Sequence, residues 1–282
     1  MNHKRYLNFE NKILSVFSKG IIQKNKKFKN LHKGKSCYLM GNGASIKYYN
    51  LKEFEDKISI GCNGLFFHSH FNTINVQYYY TGHPFLYYPY WRNNYTKNIE
   101  KNVIGALYKD KIRLSENVSY FTSLSNYFGL KSNNIFYLHH FGKPFNGYAD
   151  CNLDHHFTSM SNALSGMLGL AVYMGFVDIT LIGCDYSFYP QSNGHFFDYG
   201  KFPDQFAQQP INEEFIRAAQ KHADLRVVIP NENYEGHILP HITYQELTSD
   251  IPEYKENFEI VSKADLLSLN STKTTYIVFP QK

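Results

Sequence analysis

The sequence predicts an α/β protein built on a doubly wound, mostly parallel sheet, and three observations carry that expectation. Beyond residue 35, short apolar runs rich in β-branched residues alternate with helical stretches, as in a parallel sheet covered on both faces. Several of these runs stop at Gly, Asn or Asp, at the strand ends where open α/β sheets take up their ligands. Of the 282 residues, 43% are hydrophobic, which suffices for the core of one large domain and excludes disorder over most of the chain.

Taken in order, strands are expected over residues 37–40, 58–62, 76–81, 118–122, 135–139, 179–183 and 226–229. A helix is expected over 159–175, where Leu164, Met167, Leu168, Ala171 and Val172 recur at helical spacing and Gly175 stands as the C-terminal stop. Residues 186–209 are rich in Tyr, Phe, Gly, Pro, Asn and Gln and show no period. A loop of that length in a compact domain reads as a lid over a ligand or as a contact in a homo-oligomer. A further helix is expected over 255–267 and a last strand over 274–279.

The net charge of +5 is unevenly spread. Lysines crowd residues 1–35, interleaved with Phe9, Ile13, Leu14, Phe17, Ile21 and Ile22, so this segment reads either as a basic amphipathic helix on an anionic membrane surface or as a solvated helix packed on the domain. Residues 36–282 form the α/β domain in this division, with the lid at about 186–209. No apolar run approaches the ~20 residues that span a bilayer, and no secretory leader is recognised, so a cytoplasmic protein, peripheral on the inner membrane face, is expected. Nucleic acid is a poor partner, because the basic residues lie in one arm without a recognised motif.

The four cysteines are far apart and show no Cys-x-x-Cys pair, and none of the close histidine pairs has a zinc-site spacing. The 24 Tyr and 23 Phe serve core volume, stacking or shallow membrane contact, and composition does not choose among these.

Chemistry concentrates at four phrases. Gly41-Asn42-Gly43, followed by Ser45, reads as a phosphate cradle or as a plain glycine turn between a strand and the next helix. It lacks the third glycine of a dinucleotide fingerprint and the Gly-Lys-Ser/Thr of a P-loop. Asn63 follows the second strand and offers an amide to a base, ribose or carboxylate, or else caps a turn. Ser165-Gly166 suits a carboxylate or phosphate, or helix packing. Asp185 ends the strand over 179–183 and suits a ribose or an acceptor hydroxyl, or caps the segment after that strand. Gly82-His83-Pro84 ends the third strand, and His83 is a candidate base; His237 and His241 are weaker ones. There is no Asp-x-Asp metal clamp.

The phrases YLMGNGASIKYYN, ISIGCNGLFF and SNALSGMLGLAVYMGFVDITLIGCDYSF resemble the bacterial CMP-sialic acid-dependent sialyltransferases of glycosyltransferase family 42. They also resemble the wider group of 6-hydroxymethylpterin diphosphokinase-like proteins and flagellin nonulosonate transferases. The resemblance implies a Rossmann-like, GT-A-like fold with a small lid. It implies CMP bound along Gly41, Asn42, Gly43, Asn63, Ser165, Gly166 and Asp185, with Ser45 beside them. The donor phosphate would be steadied by Tyr186, Tyr189 and Tyr199, and the general base would be a lid histidine, for which His195 is the candidate. Gly194-His195 follows Asp185 closely, a spacing nearer to that of the wider group. The function implied is inverting transfer of a sialic acid or related nonulosonate from a CMP-sugar donor to a surface glycan acceptor, lipooligosaccharide or capsule, without a metal. The alternatives are pyrophosphate transfer from ATP to a pterin-type alcohol, with Mg²⁺ held by Asp150, Asp154 and Asp185, or a non-catalytic binding protein.

Overall fold

A computed structural model of the chain describes residues 16–84, 86–87, 99–140, 144–191, 194–198 and 212–270. The expected last strand over 274–279 and the first fifteen residues lie outside these.

Seven strands form where the apolar runs predict them: β1 Ser36–Met40, β2 Ile58–Cys62, β3 Val76–Thr81, β4 Ser119–Ser123, β5 Ile135–Leu138, β6 Asp178–Ile182 and, after the two-residue β7 Phe188–Tyr189, β8 Asp224–Ile229. The short β9 Glu235–Gly236 pairs with β7 in an antiparallel ribbon, and β10 His241–Thr243 adds an edge strand beside β8. The main sheet has eight strands in the order β10-β8-β6-β1-β2-β3-β4-β5, and every pairing in it is parallel. The fold is the α/β, Rossmann-like doubly wound sheet that the sequence predicts. From β1 the chain winds outward through β2 to β5, then returns to lay β6 against the other side of β1. The order therefore reverses between β1 and β6, and a crevice opens at the carboxyl ends of those two strands.

Successive side chains alternate between two cores, as the period of two in a strand requires. Cys37 and Leu39 of β1, Tyr78 and Tyr80 of β3, and Phe136 and Leu138 of β5 face one core. Tyr38 and Met40, Tyr79, and Ile135 and Tyr137 face the other. Much of the tyrosine content is thereby spent on core volume. All four cysteines are free and buried.

The labelled helices are α1 Ile99–Leu114, α2 Ala163–Met174, α3 Glu213–Ala219, α4 Tyr244–Thr248, α5 Asn257–Ile260 and α6 Lys263–Asn270. Helix α2 packs across β1, β2 and β3, and α3 packs on α2. α2 is shorter at its start than the 159–175 expected, because Asn162 takes the N-cap, and Gly175 ends it in the left-handed region as expected (φ 84°). The helix expected over 255–267 is broken: Val261 turns extended and bridges to His68, and the Ser262 hydroxyl accepts the Asp265 N–H to start α6 afresh.

The second half of the basic N-terminal segment is docked on the domain. Phe28 packs edge-on against Tyr78, Phe121 and Phe136, and the Asn25 amide donates to the carbonyls of Tyr137 and Leu153, both at 2.8 Å. The N–H groups of Asn30, His32 and Gly34 reach the carbonyls of Tyr173, Met174 and Gly175, satisfying the end of α2. Ahead of this anchor, residues 16–22 are helical, and Val16 and Phe17 are exposed. Among the described residues, no helix is long and apolar enough to cross a membrane.

Candidate active site

A cavity of ≈ 350 Å³ lies at the crevice between β1 and β6. It is walled by the residues that follow four parallel strands, by the start of α2 and by the segment 194–195. Gly41, Asn42, Gly43, Asn63, His83, Asp185, Tyr186 and His195, all singled out in the sequence, line it together. Asn162 and Asn212 line it as well, and sequence reasoning missed both.

The turn after β1 is tied at both of its glycines to the end of β6 and the residue that follows it. Gly41 donates its N–H to Ile182 at 2.8 Å, and a Cβ there would sit 2.2 Å from the Gly183 carbonyl oxygen. Gly43 donates to Gly183 at 2.9 Å, and a Cβ there would sit 2.4 Å from the Asp185 carboxylate. Both glycines therefore make room for this chain's own return from β6. The Asp185 carboxylate accepts the Ser45 N–H at 2.9 Å and the Ser45 hydroxyl at 2.5 Å, and the Ala44 N–H also supports it. The N–H groups that the sequence offers to a phosphate oxygen are thus held by Asp185. Burial outweighs these bonds and pushes the Asp185 carboxyl up to about 6. Ser45 itself is fully buried behind Asp185.

Ser165 and Gly166 stand behind the cavity wall. The Ser165 N–H bonds to the Asn162 side chain at 2.9 Å, and the Ser165 hydroxyl accepts the Asn162 N–H at 3.1 Å. This reciprocal capping box fixes the first turn of α2. At Gly166 a Cβ would meet the Tyr80 ring at 2.1 Å, so this glycine serves the contact between helix and sheet. The exposed edge of the cap is Asn162, whose amide donates to Asn212 at 3.0 Å. An Asn three residues before a Ser at the head of an apolar helix was the available signal for Asn162; for Asn212, 50 residues away, there was none.

His195 belongs to a segment pinned on the site. It forms an antiparallel bridge with Gly43, and Phe196 donates its N–H to the Asn42 carbonyl at 3.2 Å. Phe196 and Phe197 are buried in the core, and the Asn257 amide holds the Phe197 carbonyl at 2.9 Å. The Asp198 carboxylate accepts the His195 N–H at 2.7 Å, while the buried Lys47 ammonium donates to the Asp198 carbonyl at 2.5 Å. Burial pushes the Asp198 carboxyl up to about 7, against the His195 N–H and the Lys47 charge, and it draws the Lys47 ammonium down. Burial also lowers the His195 imidazole to about 4; a hydrogen bond to the Asn42 backbone opposes the shift, and His83 adds to it. His195 is therefore neutral at pH 7, and in the empty site it is a weaker base than a free imidazole. His83 is exposed at the opposite wall.

Of the remaining candidates among the described residues, Tyr186 alone reaches the cavity. Tyr186 is 39% exposed on the cavity wall, whereas Tyr189 sits in β7 with its ring 4.8 Å from that of His237. Nδ1 of His241 accepts the Gly236 N–H at 3.1 Å. Tyr199 and much of the 186–209 loop fall outside the described residues. Asp154 accepts the Tyr173 hydroxyl at 2.9 Å, near the far end of α2, so it does not join Asp185 at the cavity. Among the described residues, no group of three His, Cys, Asp or Glu side chains is arranged to hold a metal ion.

No family model and no curated protein matches the chain. Among solved structures, it is similar to that of the sialyltransferase CstII from Campylobacter jejuni in complex with a substrate analogue, CMP-3FNeuAc. The identity is 16% over 88% of this chain and 96% of that one, with a TM-score of 0.41, too low a likeness to carry a residue role across.

Proposed function

We propose that this protein is a glycosyltransferase that moves a sialic acid or related nonulosonate from a CMP-linked donor to a hydroxyl of a surface glycan, with inversion and with His195 as general base. The observation that supports this reading is the cavity at the β1/β6 crevice, lined by Asn42, Asn63, Asn162, Asn212, His83 and His195. Amides offer both donors and acceptors to a pyrimidine base and a ribose. The carboxylate on the wall, Asp185, has both oxygens engaged by the Ser45 N–H and hydroxyl.

In the proposed step the acceptor oxygen attacks the anomeric carbon and gives its proton to His195. The bond from that carbon to the phosphate oxygen breaks, and its electron pair leaves on CMP. A neutral imidazole is the form required. With a donor bound, its phosphate and carboxylate charges raise the histidine above the value of the empty site and make it a stronger base when it is needed. In the same reading, the basic N-terminal segment holds the enzyme against an anionic membrane surface, near its acceptors.

Calorimetric titration of the full chain with CMP and CDP, against ATP and GDP, with and without Mg²⁺, tests the proposal. Preference for the cytidine nucleotides irrespective of Mg²⁺ is expected. Binding of ATP that requires Mg²⁺, with none of CMP, would sink the reading in favour of diphosphoryl transfer.

A further inference from the structure

A second cavity, of ≈ 750 Å³, opens on the same edge of the sheet, beyond the ends of β4 and β5. Its walls include Phe17 of the 16–22 helix, Leu124, Tyr127 and Phe128 after β4, Leu138 of β5 and Met160 ahead of α2. No Asp, Glu, Lys or Arg is among its described lining residues. His139, on the same wall, is lowered to about 4, chiefly by burial, so that wall is uncharged at neutral pH. The cavity's polar lining side chains include Ser18, Ser123, Ser125, His139 and His140, and the larger part of the wall is carbon. Phe17 and Phe128 are each 80% exposed at the mouth, large rings that nothing in the described fold covers.

The rim is cationic. The Lys131 ammonium lies 4.4 Å from the Tyr127 ring centre and 5.2 Å from that of Phe128. Lys19 follows Phe17 on the 16–22 helix, and residues 16–35 carry lysines with no acidic residue among them. A small cavity of ≈ 100 Å³ lies between this chamber and the candidate active site. It shares Pro84 and Met160 with the first and Asn63, His83 and Asn162 with the second. A largely apolar chamber with a basic rim, neighbouring the site proposed for sugar transfer, matches a ligand with a hydrocarbon tail, a negative charge at its head and a reacting group beyond it.

We infer that the ≈ 750 Å³ cavity holds the hydrocarbon chain of an anionic lipid acceptor, with the acceptor's sugar directed past Met160 toward His83 and His195. This inference rests on the glycosyl-transfer reading and adds to it the place where a lipid-linked acceptor's hydrocarbon chain is held.

The test titrates the full chain with cis-parinaric acid, a fluorescent anionic acyl chain, and measures CMP affinity on the same preparation by calorimetry. Saturable one-to-one binding of the probe is expected, weakening several-fold as salt is raised. Leu124→Trp, which fills the chamber, should weaken the probe at least about tenfold and leave CMP affinity unchanged. The double substitution Phe17→Ser/Phe128→Ser, at exposed positions that do not threaten folding, should do the same. Probe binding that is absent, unsaturable or indifferent to both changes would overturn the inference. So would a mass that doubles over the titrated range with loss of probe binding, since a second copy would then be the occupant. If CMP binds and the probe does not, the cavity inference alone falls. If the probe binds and CMP does not, the transfer reading falls and with it the acceptor role, leaving a lipid cavity.

Discussion

Asp185→Asn isolates how the turn after β1 is held, because an amide can keep both bonds of the carboxylate while losing its charge. Its oxygen would accept the Ser45 N–H, now at 2.9 Å, and its NH₂ would donate to the Ser45 hydroxyl. The native carboxyl is 3% exposed and raised from 3.8 to about 6. At ~1.36 kcal/mol for each tenfold change in proton affinity, that rise corresponds to about 3 kcal/mol. The sign comes from linkage. Below the unfolded value both states are protonated and the full stability is present; between the two values the folded state keeps a proton that the unfolded chain has lost, so stability falls as pH rises; above about 6 the contribution is gone.

The variant lacks this titration. Urea unfolding of both proteins, followed by circular dichroism from about pH 4 to about pH 7.5, should show the wild type gaining up to about 3 kcal/mol on the variant as pH falls through that window. Any fixed loss from imperfect hydrogen bonding appears as a constant offset and leaves the slope untouched. A pH-independent difference would refute the burial of the carboxyl. A wild type that gains on the variant as pH rises would show that the Ser45 and Ala44 N–H groups outweigh burial and hold the group charged.

His195→Asn should lower kcat about 10²- to 10⁴-fold with little change in CMP affinity, read by steady-state transfer and calorimetry. With the free imidazole at about 4 and its neutral form active, kcat/KM should be flat through neutrality and fall only as pH drops toward 4; an acid limb near 6.5 would contradict its burial. Gly41→Ala should cost at least about 2 kcal/mol in unfolding free energy, since the new methyl meets backbone at Gly183 rather than a side chain that can swing away. Lys47→Met removes a positive neighbour of Asp198 and should raise that carboxyl above about 7, followed by carbon NMR, with faster amide exchange at Phe196 as the segment loosens.

Legibility in the sequence was local. Each of the seven longer strands is a run whose apolar alternation can be read within a few residues, and Gly175 marks the end of α2 without reference to anything distant. The three-residue β10 was too short to show a period, and the break at Val261 depends on a bridge to His68 far along the chain. The same division runs through the site. Asn42, Asn63, His83, Asp185, Tyr186 and His195 follow strands or sit in a marked loop, and the sheet brings them together. The role of the Gly41-Asn42-Gly43 turn was ambiguous in principle, because small residues admit either a ligand or another part of the chain. The choice is made 140 residues later by Asp185, which takes the Ser45 N–H and hydroxyl. Those groups are therefore engaged within the chain, and in the proposed reading a donor would be recognised by the amides and imidazoles that face the cavity. Substitutions at Asn42, Asn63 or Asn162 should therefore alter nucleotide selectivity, whereas substitutions at Gly41, Gly43 or Ser45 should act first on stability.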